Sequence, residues 1–355
     1  MYILNYFYSS SIQNEHLYPR KVQLPPNESF ALIGARGVGK SALIANYLQN
    51  ISTKDYLYID CQDPFFILDE LEASELESFI KEENIKLLIL DNYFDGFLET
   101  LPKVKQLIVI SKEPINSLNL PKFKLYPLDF EEFINFSKTQ NIQQAFNLYT
   151  KKGSLPHLAK SSSTNSSAKE IFFEKFETSE GKVLLILAIF NTKVTTTHQI
   201  YQRAKEHFKI SKDWLYKTIK NFEKEEIIFQ IPTLEKGFGK KIILYDFAFA
   251  KYLNKHQNFN ATLDSIVALA LIKHKIKIKA TTNPLGYLLE DNQLIIIAPF
   301  DNEENAWLKA QNNFGFFSKN KIREVTIITI SNNYNFKIKE TNFVATPFFE
   351  WVTGI

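Results

Sequence analysis

A single cysteine, Cys61, stands in 355 residues. One thiol cannot build a disulfide framework or a cysteine-ligated zinc site, so both scaffolds are excluded. Arginine is nearly as scarce: only Arg20, Arg36, Arg203 and Arg323 interrupt a basic complement that is otherwise lysine. Arginine is the usual residue for bidentate phosphate and carboxylate contacts, so its scarcity constrains any mechanism. Long apolar runs are missing too. Val183–Phe190 and Leu294–Phe300 fall far short of the ~20 residues a spanning helix needs, and the opening MYILNYFYSS has no basic region ahead of an apolar one. A cytoplasmic chain with no membrane partner is expected.

What is present is ample for folding. Hydrophobic residues make up 45% of the chain, and 42 Lys and Arg against 39 Asp and Glu leave +3, which excludes a disordered or tail-like chain. The balance is uneven along the sequence. Residues 1–170 carry net −3, residues 171–260 carry net +5, and residues 261–355 carry net +1. Ser161–Lys169, SSSTNSSAK, is too polar to supply a core and reads as a linker or mobile loop. These shifts suggest a first domain over 1–125, a helical lid and linker over 126–170, then domains over 171–260 and 261–355.

The first block alternates compact apolar runs with helical patterns. Phe30–Gly34, Tyr56–Asp60, Lys86–Leu90 and Gln106–Ile110 read as strands, with helices over Lys40–Gln49 and Leu68–Glu83. That order predicts an α/β fold with a parallel sheet and crossover helices.

Between the first strand and helix stands GARGVGKS, Gly34–Ser41, a full match to GxxxxGK[ST]. Gly34, Gly37 and Gly39 let the loop wrap phosphate oxygens, with Ala35, Arg36 and Val38 completing it. The helix behind it offers unpaired N–H groups at its positive end. Lys40 would reach the β- and γ-phosphates, and Ser41 would give a hydroxyl to magnesium. ATP with Mg2+ is the expected ligand. KLLILDN, Lys86–Asn92, then places Asp91 at a strand end, where its carboxylate would hold the magnesium. Asn92 follows it; an amide positions water but accepts no proton, and Asp95 or Glu99 could substitute. Ser111, ending the next strand, is either a γ-phosphate contact or a strand-end cap.

Further on stand KFKLYPLDFEEF, Lys122–Phe133, and LYTKKGSLP, Leu148–Pro156. With the phosphate loop these segments resemble the AAA+ family ATPases of bacteria and archaea, archaeal-type ATPases among them, that join a P-loop module to a winged helix and a C-terminal domain related to restriction nucleases. The likeness runs over about residues 25–260. It implies ATP binding, a helical lid and assembly into a homo-oligomer. Two departures stand out. The family's Walker B strand usually ends Asp–Glu, against Asp91–Asn92 here. The arginines it places as a finger and on the lid have no counterpart between residues 37 and 202, which leaves Arg36, Lys160 or Arg203 as stand-ins. Weak or switch-like hydrolysis is the expected result.

The basic block reads as a winged helix. Lys182–Phe190 is an apolar helix, Thr197 opens a second and Ser211 a third, and Ile227–Ile231 with Lys241–Tyr245 form the wing. Lys212, Lys217, Lys220 and Lys224 on the third helix, with Lys236, Lys240 and Lys241 on the wing, would meet a duplex DNA backbone. Glu223, Glu225 and Glu226 dilute that face, so a structural or protein-binding role stands beside it. In the last block a helix, a hairpin around Asp291–Asn292, a helix and a strand follow one another. The resemblance makes this a small α+β domain like a restriction endonuclease, but LIIIAPF lacks the acid and lysine such a strand carries, so it is expected to be inactive. The alternatives to the ATPase reading are an ATP-dependent DNA-binding protein in defence or regulation, and an interaction protein holding a nucleotide.

Overall fold

The computed structural model describes residues 2–10, 19–235, 237 and 239–354; Lys236 lies outside them. The chain divides into two compact units, 1–126 and 127–355.

In the first unit, α1 (Tyr2–Ser9) precedes β1 (Phe30–Ile33), α2 (Lys40–Tyr47), β2 (Tyr56–Asp60), α3 (Ala73–Glu82), β3 (Leu87–Asp91), β4 (Gln106–Ser111) and β5 (Lys122–Lys124). The strands form one parallel sheet in the order β2-β3-β4-β1-β5. Residues of β1, β3 and β4 are buried throughout, as the unbroken apolar runs require of strands covered on both faces. Leu4 and Phe7 of α1 join Leu76, Phe79 and Ile80 of α3 in the core on one side. The register pairs Asp60 with Asp91 and Ile33 with Ser111, so the strand ends that carry chemistry lie along one edge. Helix α3 is shorter than the expected Leu68–Glu83. Residues 68–72 are turn and coil after a 3-10 turn, Pro64–Ile67, capped by Asp63, and Leu68 is 84% exposed.

The second unit opens with α4 (Phe130–Ser137), α5 (Ile142–Lys152), α6 (Pro156–Lys160) and α7 (Thr164–Lys175). The segments that carry the family resemblance have structural explanations here. Asp129 caps α4 in a box with Glu132, while Leu128, Phe130 and Phe133 enter the core. Gly153 has φ 84, and a Cβ there would come within 2.6 Å of the Asp246 carboxylate, so only glycine fits. Helix α7 corrects the linker reading of Ser161–Lys169. Ser163 caps it and Ala168 and Ile171 are buried, so tertiary packing outweighs the polar local sequence.

Next come α8 (Thr178–Ile189), β6 (Val194–Thr195), α9 (Thr197–Lys205), α10 (Lys212–Lys224), β7 (Ile228–Pro232) and β8 (Lys240–Leu244). The strands make an antiparallel sheet in the order β6-β8-β7. Thr196, one residue before the expected Thr197, caps α9, and Ser211 caps α10. After α11 (Phe247–Leu253) and α12 (Phe259–Lys273) the chain forms β9 (Ile278–Thr282), β10 (Leu285–Leu289), β11 (Leu294–Ile297), α13 (Glu303–Asn312), α14 (Phe314–Lys319), β12 (Glu324–Thr329), β13 (Tyr334–Ile338), β14 (Thr341–Pro347) and α15 (Phe348–Trp351). A six-stranded sheet, β13-β14-β12-β11-β10-β9, is parallel at β11–β12 and β12–β14 and antiparallel elsewhere. One core runs through the unit, joining Phe133 and Tyr149, Phe247, Leu263 and Val267, and Tyr287. Among the described residues no helix is long and apolar enough to cross a membrane.

Candidate functional site

The loop Gly34–Ser41 leaves β1 and turns into the first turn of α2. Gly34 cannot carry a side chain, since its Cβ would stand 2.3 Å from the carbonyl oxygen of Leu125. Gly37, at the tip of the loop, is required for a different reason. A Cβ there would meet open space, but the backbone is left-handed at φ 82, which other residues rarely adopt. Gly39 precedes α2 in the same region at φ 92, and it offers no side-chain cap to the first N–H groups of the helix. That is the arrangement an anion requires. The Lys40 ammonium donates to the carbonyl oxygens of Gly34 at 2.7 Å and Ala35 at 3.0 Å. Arg36 is half-buried, Val38 is buried and Ser41 is exposed to solvent.

Asp91 sits opposite the loop, at the end of β3. Its Oδ2 accepts from the Ser41 hydroxyl at 2.6 Å and from the Tyr58 phenol, and its Oδ1 accepts from the Asn92 N–H at 2.7 Å. Loop serine and strand-end aspartate are therefore already paired. Serine and carboxylate oxygens are the hard ligands that magnesium takes, and among the described residues no three His, Cys, Asp or Glu side chains cluster as a metal site. Ser41 and Asp91 thus fit Mg2+ as two partners of an ion held mainly by phosphate and water. Burial, then the Asp91 carboxylate, push the Tyr58 phenol far above its usual range, which keeps it a neutral donor.

Asn92 is left-handed at φ 53, and its amide donates to Asp60 Oδ1 at 2.9 Å. The Ser111 hydroxyl is committed to the carbonyl oxygen of Glu113 at 2.7 Å, while the Ser111 carbonyl accepts from the Gly34 N–H at 3.2 Å. Of the two acids near Asn92 in sequence, Asp95 accepts from Ser117 at 2.8 Å and Glu99 lines a groove of about 1080 Å³ with Phe66, Phe94 and Phe97. Three residues in contact with the loop, Asp91 or Asn92 were not expected. Tyr58 and Asp60 come from the neighbouring strand, and their spacing of two on β2 was the available signal, because it puts both on one face. Arg20 braces the loop, donating to the carbonyl oxygens of Val38 at 3.0 Å and Tyr126 at 2.6 Å.

Residues 26–96 match the family model of the AAA domain. The matched segment spans β1 to the end of β3 and contains Lys40, Ser41, Asp91 and Asn92. The five-stranded parallel sheet and the strand–loop–helix unit fit a P-loop NTPase α/β fold. No curated protein matches the chain in sequence. Among solved structures, a Walker-type ATPase of Pyrococcus abyssi is similar at 14% identity and a TM-score of 0.42, covering 63% of this chain and 90% of that one. The ORC1 protein of Aeropyrum pernix in complex with DNA gives 12% and 0.31, over 64% and 87%. The Drosophila ORC bound to DNA gives 11% and 0.25, over 64% and 80%. With TM-scores of 0.42 and below, these likenesses carry no argument about ligand or partner.

In the second unit, Lys212, Lys217, Lys220, Lys224 and Lys240 are exposed. Lys212 lies over the Tyr216 ring at 5.6 Å. Lys241 corrects the DNA-contact assignment. It is buried, and its ammonium pairs with Asp264 of α12 at 2.6 Å, over the Tyr287 ring at 4.6 Å, so it has no path to a phosphate. Arg203 is paired with Glu206, three residues on.

Proposed function

We propose that the chain is an ATP-binding AAA+-type protein that hydrolyses ATP slowly and uses nucleotide state as a switch acting on a winged helix, residues 171–260, and a nuclease-like C-terminal domain, residues 261–355. The Ser41–Asp91 bond carries the reading, because it joins the phosphate loop to the strand end that holds magnesium in such sites. Ser41 and Asp91 would hold magnesium, which when bound would supply charge neutralisation at the phosphates. The chain's own residues do the rest. The N–H groups of the loop and α2 hold phosphate oxygens, and Lys40 exchanges the carbonyls of Gly34 and Ala35 for phosphate. Asp91 keeps two donors, Tyr58 and the Asn92 N–H, which fix its rotamer beside Ser41.

Arginine supports a slow reaction. In the first unit Arg20 braces the loop and Arg36 lies within it, and a finger supplies a large rate factor where one exists. The winged-helix reading rests on the order α8-β6-α9-α10-β7-β8 around one small antiparallel sheet. The nuclease-like reading rests on α12 followed by antiparallel β9–β10–β11 and a parallel step to β12, with isoleucine at 295, 296 and 297 of β11. Titrating ATP and ADP into the native chain and Lys40→Ala tests the function. Loss of a charged hydrogen bond of about 1.5–3 kcal/mol predicts at least tenfold weaker ATP binding in the variant. Equal affinity refutes the assignment.

One observation favours a second reading, ATP-dependent binding of duplex DNA. Lys217, Lys220 and Lys224 are exposed at helical spacing on α10. Salt-dependent duplex binding is its test.

A further inference from the structure

The geometry points to Asp60 as the carboxylate that orients the attacking water and takes its proton, with Asn92 as the amide that holds Asp60 in place. This rests on the ATP-hydrolysis reading above and names the residue that reading leaves open. An amide follows Asp91 where a proton acceptor is needed, and Asn92 cannot serve as one. The groups around it are few. Ser41 and Asp91 are committed to the metal side, and Tyr58 is held as a donor by its bond to Asp91. Asp95 is bonded to Ser117 and Ser111 to the Glu113 carbonyl. The Cys61 thiol is buried and held protonated, first by burial and then by Asp60 and Asp91.

Asp60 is set apart from these by its bond from the Asn92 amide and by its place in the sheet. The parallel register makes it the partner of Asp91, so the two side chains leave the sheet on the same side at adjacent strand ends. Its Oδ1 takes two bonds, from the Gln62 N–H at 3.0 Å and the Asn92 amide at 2.9 Å. These fix the carboxylate and leave Oδ2 for water. In the step, a water O–H bond breaks and its proton passes to Asp60. The oxygen forms a bond to the γ-phosphorus, and the bridging bond breaks with its electron pair going to the β-phosphate of ADP. Asp60 then returns the proton to solvent.

The experiment compares the full-length native chain with Asp60→Asn, Asp60→Ser and Asn92→Ala, measuring phosphate release and, separately, ATP and ADP affinity. Loss of a general base predicts a fall in turnover of about 100-fold or more for both Asp60 variants. Removing a negative charge level with Asp91 at the adjacent strand end also raises the preference for ATP over ADP by about threefold, a change that a merely structural role would not produce. Asn92→Ala lowers turnover by a smaller factor. Asp95→Asn and Glu99→Gln leave turnover within about twofold, since neither is a base that Asn92 positions. An Asp60→Asn chain that binds ATP and keeps at least half the native turnover overturns the proposal. A native chain that binds ATP but releases no phosphate overturns it together with the hydrolysis reading, whereas equal ATP affinity in Lys40→Ala overturns only the loop assignment.

Discussion

Lys241→Ala is expected to destabilise the second unit by about 3–5 kcal/mol, the cost of breaking a buried ion pair by removing one partner. The side chains of Lys241 and Asp264 are each 2% exposed, and the ammonium is 2.8 Å from Oδ1 and 2.6 Å from Oδ2. Truncation strands the Asp264 carboxylate in a core where the Tyr287 hydroxyl is its remaining side-chain donor. That one bond places the expected cost near the lower end, about 3 kcal/mol. The pair's net worth is a separate quantity. Replacing both partners with apolar residues, Lys241→Met with Asp264→Leu, removes the stranded charge and should recover most of the loss. Denaturant titration followed by tryptophan fluorescence measures this selectively, because Trp214, Trp307 and Trp351 all lie in the second unit. That selectivity is needed, since a chain of two units need not unfold in one step. A Lys241→Ala loss under about 1 kcal/mol, or a double variant no more stable than the single, refutes the reasoning.

Asp246 carries a pH prediction. It accepts from the N–H groups of Ser154, Leu155 and Phe249 and from the Ser154 hydroxyl at 2.5–3.0 Å, yet burial outweighs these donors and raises its pKa above the ordinary carboxylate value. Between the unfolded value and the raised folded one, the folded chain binds more protons, so stability contributed by this group falls as pH rises through that window. Denaturation midpoints measured across pH should show the slope, and Asp246→Ala should remove it while costing about 3 kcal/mol through stranded donors. On α10, Lys217→Ala with Lys220→Ala should reduce the slope of log affinity against log salt for duplex DNA by about 1.8, while Lys241→Met leaves it unchanged. No duplex binding near 50 mM salt, with or without ATP, refutes the DNA reading.

The places of the Gly34–Ser41 loop, between strand and helix, and of Asp91, at a strand end, were legible because each is local. A glycine-rich turn between strand and helix, or an acid ending an apolar strand, is complete within a few residues. Helix α7 was not, because SSSTNSSAK has little helix propensity and gains its stability from burying Ala168 and Ile171. Strands β13 and β14 were missed for a related reason. YNFKI and TNFVATP alternate buried or half-buried residues with exposed ones, and their polar positions mimic loop sequence. Lys241 was misplaced because a lysine beside a wing reads as surface. Its partner offered a clue, since Asp264 stands in the otherwise apolar ATLDSIVALAL, where a lone acid needs a buried cation.

Asp60 shows why sequence adjacency misleads at this site. An Asp–Glu pair on one strand fixes metal ligand and base through a single peptide bond. Here Asp91 is on β3 and the neighbouring acid, Asp60, on β2, 31 residues earlier, and only the Asp60–Asp91 register brings them level. A slip of one residue would turn Asp60 to the other face and separate it from Asn92. The register is set by Leu57 and Ile59, both fully buried, and by the Cys61 N–H, which donates to the Asp91 carbonyl at 2.8 Å. Asn92 suits the link because asparagine tolerates the left-handed backbone at φ 53. A glutamate there would have to adopt that backbone, lose the amide that holds Asp60 and place a second negative charge beside it. The arrangement therefore gains nothing from restoring an Asp–Glu dipeptide at 91–92, because the position of Asp60 depends on sheet packing and not on its neighbour in sequence.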